Sequence, residues 1–213
     1  MPIFFRKILN DFLSSTTDLP KGYASFRPSF EAYAAGRGTD QLVVNITLEV
    51  ELPQLRGVDI SYLPKIKQLL LIISESAPFI PNISKLSERI GITRNALLTY
   101  LNVLAESKLT YNLLKYTFGI SRLQKPDNIY SENRNLMYVL SPLEANIGNI
   151  RETFFANQLK KSHQVTMSEA NDFLVDGIYT FEIGGKRKRY SPIEGIPDGF
   201  IVADDIKIRS RCG

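Results

Sequence analysis

Hydrophobic positions along the chain switch period from one segment to the next, and each switch marks an element. Between residues 42 and 53 two periods fit. Ile46, Leu48, Val50 and Leu52 alternate as in a strand, whereas Leu42, Val43, Ile46 and Val50 share one face of a helix; Pro53 closes the segment either way. From Pro64, which suits a first helical turn, Ile66, Leu69, Leu70 and Ile73 repeat at helical spacing until Pro78. A short helix from Ser84 to Ile90 follows, with Ser84 as its expected cap. Gly91-Ile92 makes a turn, and Thr93 caps a third helix whose Leu97, Tyr100, Leu101 and Leu104 form an apolar stripe. Two helices across a tight glycine turn, closed by a preceding helix, read as a helix-turn-helix. Leu109 to Phe118 alternates loosely and supplies candidate wing strands, so residues 61–122 are expected to form a winged helix.

The rest of the chain mixes periods. Asn128-Ile129-Tyr130 predicts a short strand and Asn135 to Leu140 a short helix that stops at Pro142. Gly148 to Lys161 predicts a helix with Ile150, Phe154, Phe155 and Leu159 on its apolar side and Glu152 at the edge of that side. A hairpin then spans Asp172 to Lys186, and Phe200-Ile201-Val202-Ala203 reads as a further strand. Helices and strands in this order predict a mixed α/β fold, the winged helix-turn-helix being followed by a small α/β domain over residues 123–213. Residues 1–60 are the least legible: Asp18 to Thr39 combines Pro, Gly, Ser and Arg without periodicity and reads as loop.

The hairpin register decides which side chains can meet. A two-residue Asp176-Gly177 turn would pair Asp172 with Phe181 and turn Glu182 away from Asp172. A three-residue turn, Val175-Asp176-Gly177, pairs Asp172 with Thr180 and places Asp172, Thr180 and Glu182 on one side. Phe173, Tyr179, Phe181 and Ile183 then share the other side, a wholly apolar face suited to covering a core. The second register is therefore expected. It brings a helix carboxylate, Glu152, toward two strand carboxylates, Asp172 and Glu182, and three hard oxygen ligands suit Mg²⁺. A cation so held polarises a phosphodiester and activates water. Acids on the wet side of a half-exposed hairpin are the plainer meaning of the same spacing.

Composition narrows the function. The 213 residues are 44% hydrophobic and 23% charged, as in an ordinary globular chain. The single cysteine, Cys212, excludes an internal disulfide, and Met1 to Lys7 lacks the apolar run of a signal peptide. The longest apolar run, Leu69 to Ile73, is too short to cross a bilayer, so a cytoplasmic protein without membrane partners is expected. Net charge is +4, and residues 61–120 hold seven Lys/Arg against three Glu, an excess of four that accounts for all of it. Within that segment the third helix offers Arg94, Asn95, Thr99 and Asn102, side chains that bond base edges or phosphates, which makes DNA a candidate partner. Lys186-Arg187-Lys188-Arg189 is the densest charge run and reads as a solvated loop. His163 is the only histidine, which excludes a Cys/His zinc cluster and argues against a Ser-His-Asp triad. No phosphate-cradling Gly-x-x-x-x-Gly-Lys-Ser/Thr loop occurs.

Several segments together, Asn45 to Pro53, Lys67 to Leu70, Asn135 to Leu140, Asn149 to Phe155, Asp172 to Gly177, Phe181 to Lys186 and Ala203 to Asp205, resemble the C-terminal portion of a family of prokaryotic AAA-type ATPases. The family carries an ATPase core, then a winged helix, then a domain similar to PD-(D/E)-x-K nucleases. The resemblance spans about residues 41–206. It implies that residues 41–52 are a helix leading out of the ATPase lid, and that residues 1–60 are a remnant of that lid and a linker. It implies that Glu152, Asp172 and Glu182 are metal acids, with Lys186 as the basic catalytic partner. The nuclease pattern places its lysine two residues after the second acid, where this chain has Gly184, so a weakly active or silent nuclease-like domain is expected. ATP would bind only in the family's core, which is missing here, so the chain reads as a fragment that engages DNA, a partner protein or a separate ATPase core. Residues 6–40 match the family poorly, and Lys207 to Gly213 does not look like its hydrophobic C-terminus.

Overall fold

A computed structural model describes residues 41–76, 78–115, 125–132, 134–141, 146–185, 191–203 and 207–209. The expected loop 18–39, the end of the expected wing beyond residue 115, and the basic run at 186–189 lie outside the described residues. Within them the chain is mixed α/β, built around two hydrophobic cores.

The first core is helical. Helix α1 occupies residues 41–56, so the period ambiguity resolves to helix. Its buried face is Val44, Leu48 and Leu52, whereas Leu42, Val43, Ile46 and Val50, the expected face, are 43 to 57% exposed. Apolar residues surround this helix, so period alone selects no side; packing on α2 does. Pro53 does not end α1. The turn Thr47–Glu51 before it is π-helical, with Leu52 N–H donating to Thr47 O, and the helix continues through Leu52–Arg56. Proline has no N–H for the carbonyl four residues back, and the widened turn absorbs that mismatch. Gly57, at φ +63°, then closes the helix.

Helix α2 (Leu63–Ser76) buries Ile66, Leu69, Leu70 and Ile73, the stripe its spacing predicts. Helix α3 (Ile83–Ile90) is capped by Asn82, whose side chain accepts the Lys85 N–H at 3.1 Å. Ser84, the expected cap, lies inside the first turn because helical backbone already starts at Ile83. Gly91 follows at φ +70°, its N–H shared between Ser87 O and Glu88 O. Helix α4 (Arg94–Glu106) is capped by Thr93, which accepts the Ala96 N–H at 3.2 Å, and buries Leu97, Leu101 and Leu104.

A methyl at Gly91 would meet only Lys65 Nζ, at 3.8 Å, so space is available and the left-handed backbone sets the cost of a side chain. Gly91→Ala is expected to lower stability by about 1–2 kcal/mol, read from the urea midpoint. A loss near zero would mean that the turn between α3 and α4 does not need this backbone.

Strand β1 (Thr110–Leu113) leaves α4 and pairs antiparallel with β2 (Asn128–Ser131), Tyr111 opposite Tyr130. The strand expected to open the second domain is thus bonded to the end of the first, across the boundary expected at 122/123. Phe79 and Ile129 exchange both backbone hydrogen bonds at 2.8 Å, which ties β2 to the chain between α2 and α3. Ile129 and Leu136, from the following helix α5 (Arg134–Leu140), complete the first core.

The second core lies between helix α6 (Ile147–Leu159) and a five-stranded sheet ordered β3-β4-β5-β6-β7. The strands are β3 (Val165–Thr166), β4 (Phe173–Val175), β5 (Tyr179–Gly184), β6 (Gly199–Ala203) and β7 (Lys207–Arg209). All neighbours are antiparallel except β5 and β6, which run parallel and pair Phe181 with Phe200 and Glu182 with Ile201. Phe173, Val175, Tyr179, Phe181, Ile183, Phe200 and Val202 face Phe155, Ala156 and Leu159 of α6. No described helix is long and apolar enough to cross a membrane.

Candidate functional site

The hairpin turn differs from expectation and still presents the expected faces. Val175 pairs with Tyr179, Leu174 with Thr180 and Phe173 with Phe181, so the three turn residues are Asp176, Gly177 and Ile178. The pairing is shifted by two positions from the expected register, and an even shift keeps every side chain on its side. Extended one step, it sets Asp172 across from Glu182. Long-range contacts select this turn. Asp176, at φ +54°, accepts the Gln164 N–H at 2.9 Å and meets His163 Nδ1 at 2.8 Å, while its own N–H donates to Gln164 O.

The acid-bearing side of the sheet is not wet. Thr180 and Glu182 are 7% and 9% exposed, and the 3₁₀ turn Ser191–Ile193 packs against β5 and β6. A methyl at Gly199, which pairs with Thr180, would meet Ile193 Cβ at 3.2 Å, placing Ile193 over this face. Each expected metal acid is engaged by a protein donor. Ile183 N–H donates to Asp172 Oδ2 at 2.6 Å. Asn171 Nδ2 donates to Glu182 Oε2 at 3.1 Å and to Pro192 O at 2.9 Å. The Tyr130 hydroxyl donates to Glu152 Oε2 at 3.4 Å.

Tyr130 links two of these acids. Its ring is buried, and burial pushes its pKa up; the nearby charges of Glu152 and Asp172 push in the same direction. The hydroxyl therefore keeps its proton and remains a donor. Glu152 accepts from Tyr130, the charge of Asp172 is felt at the same hydroxyl, and the hairpin register carried one step further sets Asp172 opposite Glu182. Among the described residues, no group of three or more His, Cys, Asp or Glu is arranged to hold a metal ion. Lys186 lies outside the described residues.

Sequence reasoning missed Tyr130, Asn171 and Arg151. The Arg151 guanidinium lies 3.6 Å from where a methyl at Gly185 would stand, so a cation does reach the end of β5, from the helix rather than the strand. No local pattern signals it, because Arg151 precedes Glu152 on a helix remote from β5 in sequence.

On α4, Arg94, Asn95, Thr99 and Asn102 are all exposed. Thr99 Oγ1 donates back to Asn95 O at 3.0 Å. The side chains of Arg94, Asn95 and Asn102 are free of partners among the described residues, opposite a stripe of fully buried leucines. Compared with models of protein families, with curated proteins and with solved structures, the chain matches none.

Proposed function

We propose that the chain is a DNA-engagement module. The unit α3–Gly91–α4 acts as a winged helix on duplex DNA, and the α/β half acts as a nuclease-like scaffold without hydrolytic activity. The ATPase core that the resemblance implies would lie in other sequence or in a separate chain, and this chain alone would not hydrolyse ATP. The observation that carries the reading is the free polar face of α4. Arg94, Asn95 and Asn102 point away from the leucine core and bond to no side chain among the described residues, as suits side chains facing a groove.

The silence of the second half is supported by the three acids. Asp172 Oδ2, Glu182 Oε2 and Glu152 Oε2 already accept from the Ile183 N–H, the Asn171 amide and the Tyr130 hydroxyl respectively, so part of each carboxylate's bonding capacity serves the fold. The rival nuclease reading draws on the closeness of Asp172 to both of the other acids. Supercoiled plasmid incubated with Mg²⁺ separates the two: it is expected to stay intact, and nicking that Asp172→Asn abolishes would establish the rival.

Binding to a labelled duplex, followed by anisotropy, is expected to weaken steeply between about 50 and about 200 mM salt, because phosphate contacts release counterions. Arg94→Ala should weaken it further and reduce the salt slope by about one phosphate contact. Affinity indifferent to salt and to Arg94 would turn the proposal toward a protein partner for this face.

A further inference from the structure

We propose that a lysine-lined cleft between the two halves of the chain is a binding site for a phosphate-bearing ligand, separate from the exposed face of α4. The cleft encloses about 720 Å³, between the α4 end and β1 on one side and the α6 end and β3 on the other. That volume lies in the range of built small-molecule sites. Lys108 and Lys115 stand on the first wall, and Lys160 and Lys161 on the second.

The acids of the cleft are already spent. Glu106 turns out to Arg56 at 2.6 Å, and Glu132 pairs with Lys160 at 2.7 Å. Asp127, just outside, accepts the Lys115 backbone N–H at 2.9 Å, and Asp176 meets His163. Lys108, Lys115 and Lys161 are exposed and make no ion pair among the described residues.

The two lysine walls face each other closely enough to interact. Burial lowers the Lys160 pKa, Glu132 opposes that shift, and the charges of Lys108 on the facing wall and of the adjacent Lys161 add to it. Lys160 Nζ also lies 4.6 Å from the Tyr111 ring centre. Crowded cations around an open volume are an anion trap. Lys108 closes α4 at φ +57°, with Leu109 N–H donating to Leu104 O, and stands on the cleft wall.

The shared chemistry is the phosphate oxyanion, whether from a nucleic-acid strand or from a free nucleotide. The full chain is titrated with a labelled single-stranded oligonucleotide by anisotropy and, separately, with ATP by calorimetry. At least one probe is expected to bind, and the double variant Lys108→Glu/Lys161→Glu should weaken it about tenfold or more. Lys108→Arg/Lys161→Arg should restore binding, because the charge returns. Both positions are exposed, and an unchanged urea midpoint verifies that the variant is folded. Binding of the oligonucleotide alone identifies the source as a strand, and binding of ATP identifies it as a nucleotide. Lys67→Ala serves as the control: this exposed lysine of α2 pairs with Glu49, does not line the cleft, and its loss should leave cleft binding unchanged. No binding of either probe, or binding insensitive to the charge reversal, overturns the cleft proposal and leaves the reading of α4 standing.

Discussion

Phe173→Ala is expected to lower the free energy of unfolding by about 3–5 kcal/mol, the usual cost of emptying a buried aromatic site that cannot collapse. Phe173 is fully buried at the point where the two halves of the chain touch. Its ring lies 5.8 Å from Tyr130, carried by the strand bonded to the helical half, and 5.3 Å from Phe155 on α6. From Phe155 the contacts run on to Phe181 at 5.1 Å, from there to Phe200 at 5.5 Å, and to Tyr179 at 6.1 Å. Each of these rings is fixed by a strand ladder or a helix, so little can move in to fill the space. The same substitution unseats Tyr130 from the sheet, and Tyr130 holds Glu152. The loss should therefore appear as one cooperative transition with a lower urea midpoint and an unchanged slope. A loss below about 1 kcal/mol would mean that the aromatic lattice is not a packed core.

How far the fold could be read beforehand depended on whether the deciding contact was local. Ile66, Leu69, Leu70 and Ile73 on α2, and Leu97, Leu101 and Leu104 on α4, are buried as their spacing predicts. Lys67 and Gln68 on α2 and Arg94, Asn95, Thr99 and Asn102 on α4 mark the wet side, although Leu71 of α2 stays 40% exposed. On α1 the spacing misled, since apolar residues surround the helix and a distant partner selects Val44, Leu48 and Leu52. The hairpin faces follow from alternation within two short strands. Its turn does not, because Asp176 is held by His163 and Gln164, which lie in the segment before β4. Pairing of β1 with β2 spans residues 114–127 and leaves no trace in either four-residue strand, and β7 is only three residues long. At the candidate site, the carboxylates could be named from spacing, but their donors could not. Ile183 donates through its backbone, and Tyr130 and Asn171 are ordinary residues until the sheet brings them in.

Asp172→Ala is expected to cost about 1–3 kcal/mol, because it leaves the Ile183 N–H without its acceptor in a buried strand. Ile183 is 6% exposed and water does not readily replace the lost oxygen. Asp172→Asn should cost less, since its amide oxygen still accepts the N–H, and the difference between the two substitutions isolates the hydrogen bond from the charge. The same pair of variants distinguishes a structural carboxylate from a metal ligand. A bound cation stabilises the folded state by an amount set by its concentration relative to its dissociation constant, roughly 2.7 kcal/mol at a hundredfold excess. If Asp172 serves the strand, adding Mg²⁺ leaves the melting temperature of the unmodified chain unchanged, and Asp172→Ala is destabilised equally with and without the cation. If Asp172 serves a metal, Mg²⁺ raises the melting temperature, and Asp172→Asn removes that rise while keeping most of the stability measured without cation. The short bond to Ile183 argues for the first pattern, because it gives Asp172 a structural role with or without a cation.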